Sequence, residues 1–195
     1  MARREFIAGE EVIKFYSGGL RPYHKLSNFA HVLEGIEIDG LIFPSTEHAF
    51  QSQKIKESER WMFSVNGPLG QIDEGFKLVS GKDWEKKREY WMKKGNIGVI
   101  AKMATGEKLL KKLGLKRVAD FQSTDELWIR ILQQKFVNED FRSTLMSTKN
   151  AYLLEFDRGA QRKPVPPFWA GMIVDGVLCG HNKMGEYLMI VRNNL

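Results

Sequence analysis

A carboxylate and a lysine stand seven residues apart in the segment Pro44-Ser45-Thr46-Glu47-His48-Ala49-Phe50-Gln51-Ser52-Gln53-Lys54. Pro44 closes an extended stretch, and Ser45 is a good N-cap because its hydroxyl can accept one of the N–H groups that a first helical turn leaves unpaired. The residues that follow are helix formers, so the segment predicts a helix opening at Ser45 with Glu47 in its first turn. There the positive end of the helix dipole favours the ionised carboxylate. Lys54 falls on the same face, about 10 Å further along the axis. A carboxylate and an amine lining one face can stabilise a developing cation or hold an anionic substrate. The same pattern also describes an acid placed only for the dipole and a solvated lysine, and the spacing alone leaves both open.

The elements around this segment read as short strands and amphipathic helices. Val12 to Tyr16 predicts a strand broken by Gly18, Gly19 and Pro22. Residues 31–43 alternate apolar runs around Asp39-Gly40, a strong hairpin signal, and Ile173 to Leu178 predicts another around Asp175-Gly176. Residues 82–94 predict a helix with Trp84 and Trp91 seven apart and Lys87 and Arg88 between them. A further helix over 107–113 stops at Gly114. Residues 125–146 carry Leu127, Trp128, Ile131, Leu132, Phe136, Phe141 and Leu145 near helical period. The three prolines in 162–167 predict a loop, and Met184, Tyr187, Leu188 and Val191 mark a C-terminal helix. The expected class is α+β, mostly helical, with short strands and hairpins towards the two ends.

A chain of 195 residues, 43% hydrophobic and 28% charged, is globular. At this size roughly 70% of the unfolded surface is buried without help from disulfides or metal. The single cysteine, Cys179, excludes an internal disulfide and fits a reducing compartment. No apolar run approaches a membrane span, and the first residues lack a signal-peptide core. The expectation is a cytoplasmic protein with no membrane partner. The four histidines are dispersed and give no metal-ligand spacing. Residues 82–117 hold twelve lysines and arginines against four acids, a local charge of +8 in a chain of net charge +6. Such a segment, interleaved with aromatics, either binds a polyanion such as nucleic acid or is a solvated face.

Four motifs occur together: Leu26-Ser27-Asn28-Phe29 after Phe15-Tyr16; Ser45 to Lys54; Trp84 with Arg88 and Met92; and Gly180-His181-Asn182-Lys183-Met184-Gly185 ahead of Leu188-Met189 and Arg192. Their order resembles the NADAR family, also called YbiA-like N-glycosidases. The resemblance covers most of the chain. It lapses after Met92 and resumes near Ile131 to Phe136, so residues 93–127 read as a basic insertion within one domain spanning 1–195. It implies a hydrolase that cleaves the N-glycosidic bond of a phosphorylated ribose without cofactor or metal. The substrate would be either ADP-ribose linked to guanine in nucleic acid or a phosphorylated riboflavin-pathway intermediate. A binding module for ADP-ribose or nucleic acid without turnover is a third expectation.

The resemblance also implies a pocket. Glu47, Lys54 and Trp84 would be catalytic, and Tyr16, Ser27, Asn28, Phe29, Arg88, Trp169, Gly180, Asn182, Lys183 and Gly185 would bind substrate. One departure stands out: the family's Asp three residues before a Trp-Gly pair falls on Pro166, ahead of Trp169-Ala170-Gly171. Asp157 or Asp175 would have to substitute, and specificity or activity could be altered. Cleaving a ribose N-glycoside passes through an oxocarbenium-like state, which an ionised Glu47 would stabilise or which its activated water would attack. An ionised first-turn glutamate is a poor general acid, which needs a raised pKa. Lys54 would bind phosphate, or attack the ring-opened sugar as an amine nucleophile. Trp84 offers a stacking face worth ~1–3 kcal/mol per base, or is an ordinary core tryptophan. Phe29 leans to the core, and Asn28 either meets ribose hydroxyls or shapes a turn. Gly180 to Gly185 reads as a phosphate cradle opening onto unpaired helix N–H groups, or as a loop with Asn182 capping the helix.

Overall fold

A computed structural model of the chain describes residues 5–6, 9–19 and 21–195. In chain order its elements are β1 (Val12–Phe15), β2 (Ile36–Ile38), β3 (Leu41–Phe43), α1 (Thr46–Gln53), α2 (Ile72–Ser80), α3 (Trp84–Lys93), α4 (Val99–Ala104) and α5 (Glu107–Lys112). Then follow α6 (Asp125–Lys135), α7 (Glu139–Met146), β4 (Tyr152–Glu155), β5 (Gly171–Val174), β6 (Val177–Gly180) and α8 (Lys183–Asn193). The class is the mostly helical α+β expected, with all strands in two-stranded sheets. The helices form two compact units, one of residues Asn28–Asn138 and the other of Met1–Ser27 with Glu139–Leu195.

In the unit of residues 28–138, β2 and β3 form the expected hairpin, with Ile36 opposite Phe43 and Ile38 opposite Leu41. Asp39 and Gly40 turn it with φ of 53° and 75°, the left-handed pair that a two-residue hairpin requires. The chain then enters α1, whose residues are all buried. Burial of a helix rich in Thr, Glu, His, Gln and Ser runs against the apolar rule for interiors. It is sustained by α4, α6, β2, β3 and the 3-10 turn at Glu57–Phe63, which pack around it. Phe43, Phe63, Phe76, Ile97, Ile100, Ile131, Leu132 and Phe136 form the apolar core. Two of these, Ile97 and Ile100, come from the segment expected as an insertion, which is therefore part of the packed interior here.

In the other unit β1 pairs in parallel with β4, Val12 opposite Tyr152 and Phe15 opposite Glu155. β5 and β6 form the second expected hairpin through Asp175 and Gly176, at φ of 50° and 77°. The apolar face of α8 packs on β4 and buries Met184, Tyr187, Leu188 and Val191 as the periodicity requires. Gly185 allows the approach: a Cβ there would lie 2.0 Å from the Leu153 carbonyl oxygen.

The helical stretch expected over 125–146 is two helices, α6 and α7, interrupted at residues 136–138 where one unit ends and the next begins. The pattern of apolar residues carries no mark of this break. The helix expected over 82–94 starts at Trp84, after a 3-10 turn at Gly81–Asp83. Helices α2 and α4 were not expected from the sequence.

Candidate functional site

Ser45 caps α1 as its type demands. Its Oγ accepts the His48 N–H at 3.2 Å and lies 2.8 Å from His48 Nδ1. His48 Nε2 sits 3.0 Å from the Leu69 carbonyl oxygen, an acceptor only, so the ring proton is on Nε2 and Nδ1 accepts from Ser45. This buried ring carries no charge, and burial takes its pKa down to about 3. An unfolded chain protonates His48 below about pH 6.5, whereas the folded chain does not until pH is near 3. Stability is therefore lost as pH falls between those values, by at most about 1.4 kcal/mol per pH unit. Glu47 titrates in the opposite sense, so the measurement belongs in the Glu47→Gln protein. There the denaturant midpoint should fall from pH 6.5 to pH 5, and a flat midpoint would contradict the buried neutral imidazole.

Glu47 occupies the first turn, as expected, and is 5% exposed. Its backbone N–H donates to the Asn28 carbonyl oxygen at 3.0 Å, so the Asn28-Phe29 segment runs against the start of α1. On the other side Gly98 closes in: a Cβ there would sit 2.6 Å from Phe29 Cα and 3.0 Å from Glu47 Cβ. Glu47 Oε1 accepts from Gln51 Nε2 at 2.7 Å and faces Lys102 Nζ at 3.7 Å. Among the described residues Oε2 accepts no hydrogen bond. Two further polar atoms on adjoining residues, Asn28 Oδ1 and Thr46 Oγ1, are buried without a partner among the described residues. An unsatisfied buried polar atom costs about 1–3 kcal/mol, and a bound molecule offering hydroxyls would relieve that cost.

The sequence reading held Glu47 to be stabilised as an anion by the helix dipole. The structure corrects the direction. Burial raises its pKa, and the Gln51 hydrogen bond and the charges of Lys102 and Lys54 oppose that rise without cancelling it. Desolvation of a charge in a packed interior outweighs the partial charge of a helix end. Lys54, half-buried at the end of α1, has its pKa lowered, first by burial and then by repulsion from Lys102 and Arg117. Lys102 and Lys54 thus act on one carboxylate, with Arg117 acting on Lys54, and Lys102 was not singled out from the sequence.

Their placement has a definite cause. Residues 116–118 run antiparallel to residues 54–56: Lys56 N–H donates to Lys116 O at 2.9 Å, and Val118 N–H to Lys54 O at 2.9 Å. Arg117 pairs with Ile55 across this bridge and donates to the Thr105 carbonyl oxygen at 2.6 Å. No periodicity announces such a single-residue bridge, so only the basic character of the segment was legible.

The aromatic surface beside Lys54 differs from expectation as well. Lys54 Nζ lies 4.4 Å from the ring centre of Phe50 and 6.0 Å from that of Phe121. Phe50 is stacked on Trp128 at 3.9 Å. Trp84 opens α3. Its ring is covered by Lys77 at 5.0 Å, and Arg88 is ion-paired with Asp73. Both partners belong to α2, so Trp84 and Arg88 contribute to the packing of α3 on α2. Phe121, half-buried in the loop before α6, is the aromatic that the sequence reading missed.

The remaining expected residues lie in the other unit, apart from Asn28 and Phe29. Tyr16 is partly exposed and leans on Phe156 at 5.9 Å, and Ser27 is buried. Trp169 packs edge-to-face on Phe168 at 4.8 Å. Asp157 accepts from the Gly159 N–H at 2.9 Å and is ion-paired with Lys163, whose hydrogen bond lowers its pKa. The phosphate cradle at Gly180 to Gly185 is corrected. The N–H groups of His181, Asn182, Lys183 and Met184 are all paired, with the carbonyls of Pro167, Ala170, Phe168 and Trp169 at 2.9–3.2 Å. Lys183 lies over the Tyr187 ring at 5.0 Å. Asn182, fully buried at φ 51°, does not cap α8 with its side chain. Its amide donates to Tyr152 Oη and Leu153 O and accepts from Glu155 N–H. These bonds tie α8 and the 167–170 loop together and take the four N–H groups of residues 181–184.

Among the described residues no three His, Cys, Asp or Glu side chains gather to hold a metal, and no helix is long and apolar enough to cross a membrane. No family model matches the sequence, and no curated protein matches it. The solved NMR structure of the E. coli protein YbiA is similar to this chain at 23% identity, with a TM-score of 0.54. The match covers 97% of this chain and 88% of that one. At that identity the likeness fixes one thing, and the chain shares the fold of YbiA.

Proposed function

We propose that this protein is an N-glycosidase that hydrolyses the bond between a base and a phosphorylated ribose, with ADP-ribose linked to guanine in nucleic acid as its substrate. The observation that carries the reading is Glu47: a buried carboxylate with one oxygen held by Gln51, the other accepting no hydrogen bond among the described residues, and two lysines acting on it. A glycosidase needs a carboxylate whose ionised form faces the sugar. Burial raises the Glu47 pKa, which makes it a stronger base towards the attacking water than an exposed glutamate. As water adds to the anomeric carbon, its proton passes to Glu47 Oε2, and the base departs with the electrons of the broken C–N bond. Lys54 and Lys102 hold the phosphate groups, while Asn28 Oδ1 and Thr46 Oγ1 accept from the ribose hydroxyls. Phe121 supplies the face for the leaving base.

Exposed lysines on α5 and in the bridge strand, Lys108, Lys111, Lys112 and Lys116, support a nucleic-acid-linked substrate. They carry positive charge on the segment that also contributes Arg117. A free phosphorylated riboflavin-pathway intermediate needs the Glu47 pocket but not these lysines.

The choice of Phe121 over Trp84 as the stacking face gives a test. Phe121→Ala should raise KM and lower kcat, because stacking is worth about 1–3 kcal/mol per base. Trp84→Ala should cost stability and leave kinetics near wild type. The reverse pattern, with Trp84 affecting KM and Phe121 silent, would place the base on α3 and sink this arrangement.

A further inference from the structure

We propose that Gln51, held in turn by Thr105, is a positioning residue that fixes the Glu47 carboxylate and presents its second oxygen. The inference rests on the role given above to Glu47, and it goes beyond that role by identifying what orients the group. Gln51 is 1% exposed and Thr105 6% exposed. Gln51 Nε2 donates to Glu47 Oε1 at 2.7 Å, and Thr105 Oγ1 donates to Gln51 Oε1 at 2.9 Å. A carboxylate accepts only, so an ionised Glu47 requires the NH₂ end of the amide to face it. The carbonyl end must then take a proton from elsewhere, and the Thr105 hydroxyl is the donor in reach. The chain of donors has one direction, and it leaves Glu47 Oε1 occupied and Oε2 available.

Thr105 is itself anchored. Its carbonyl oxygen accepts from Arg117 Nη2 at 2.6 Å, and Arg117 is placed by the pairing of residues 116–118 with 54–56. The basic segment thus reaches the carboxylate through Arg117, Thr105 and Gln51. A side chain locked by a second layer of hydrogen bonds keeps its reacting atom in register, and misplacement by about 1 Å can cost 10²-fold in rate. The charged groups acting on Glu47 are Lys102 of α4 and Lys54 of its own helix. Both favour the anion without fixing the direction in which it points, whereas the amide fixes both.

The test separates this relay from the glycosidase reading. Protein is labelled with ¹³C at the glutamate side-chain carboxyls, and the Glu47 resonance is identified by its loss in Glu47→Gln. Its titration is followed by NMR in wild type, Gln51→Met and Thr105→Val. Removing the donor destabilises the anion, so the Glu47 midpoint should move up in both variants, and further in Gln51→Met. On guanine-linked ADP-ribose, kcat should fall by about 10–100-fold in Gln51→Met with KM unchanged. An unmoved Glu47 midpoint in the folded variants overturns the relay. If Gln51→Met does not fold, the isosteric Thr105→Val decides alone by the same readout. Hydrolysis that survives in Glu47→Gln removes Glu47 from the chemistry and leaves the titration result standing.

Discussion

Replacing Glu47 with glutamine is expected to lower turnover by about 10²–10³-fold, the usual cost of losing a group that stabilises charge in a transition state. The fold should persist. The new amide fits the same space, and Gln51 can turn its own amide to meet it. Removing a buried carboxylate whose pKa is raised by desolvation should leave thermal stability unchanged or improved at neutral pH, because a buried charge is costly. The acid limb of the wild-type pH–rate profile should lie above the ordinary carboxylate range, since Glu47 must lose its proton to act as a base and burial resists that loss. A variant that keeps wild-type turnover, or a profile whose acid limb sits below that range, would remove Glu47 from the chemistry.

Asn182→Ala carries the largest expected effect on stability. The side chain makes three hydrogen bonds, two buried ones to Tyr152 Oη and Leu153 O and a partly buried one from the Glu155 N–H, and its backbone sits at φ 51°, where asparagine is tolerated better than alanine. Losing these bonds removes one hydrogen bond each from Tyr152 Oη, Leu153 O and the Glu155 N–H. Together with the backbone cost, this should remove roughly 3 kcal/mol or more from the unfolding free energy. Equilibrium denaturation measures it, and a loss under about 1 kcal/mol would mean that α8 docks on β4 without this strut. KM for any substrate should be unchanged at temperatures where the variant is folded, because the N–H groups of residues 181–184 are already taken by carbonyls.

Residues whose structure depends on local chemistry were legible in the sequence. Asp39-Gly40 and Asp175-Gly176 turn their hairpins because few other pairs accept two positive φ angles. Ser45 caps α1 because its hydroxyl competes for a first-turn N–H. Asn28 adjoins Glu47 at the start of α1, where its carbonyl oxygen accepts the Glu47 N–H, and Lys54 stands at the other end of that helix. What remained hidden depends on long-range packing. The raised pKa of Glu47 follows from the helices and strands that cover α1, none of which its own turn reveals. Phe121 and Arg117 reach the site through a loop and a one-residue bridge, neither of which has a period to detect. Trp84 and Asn182 carried site-like patterns, but their partners, Lys77 in one case and the backbone of β4 in the other, are set by tertiary contacts. A glycine-flanked loop before a helix reads as an anion cradle only if its N–H groups are free, and here the carbonyls of residues 167–170 take them.

The most direct measurement offers the purified protein two substrates, an oligonucleotide carrying ADP-ribose on guanine and a phosphorylated ribosyl riboflavin-pathway intermediate, and follows the products by mass spectrometry. The predicted result is restoration of unmodified guanine in the oligonucleotide with release of ADP-ribose by wild type, loss of that activity in Glu47→Gln, and little or no cleavage of the free intermediate. Cleavage of the free intermediate alone would move the substrate to the riboflavin-pathway class. Absence of cleavage of either substrate by folded wild-type protein, with ADP-ribose still bound, would contradict a hydrolase and leave a binding module.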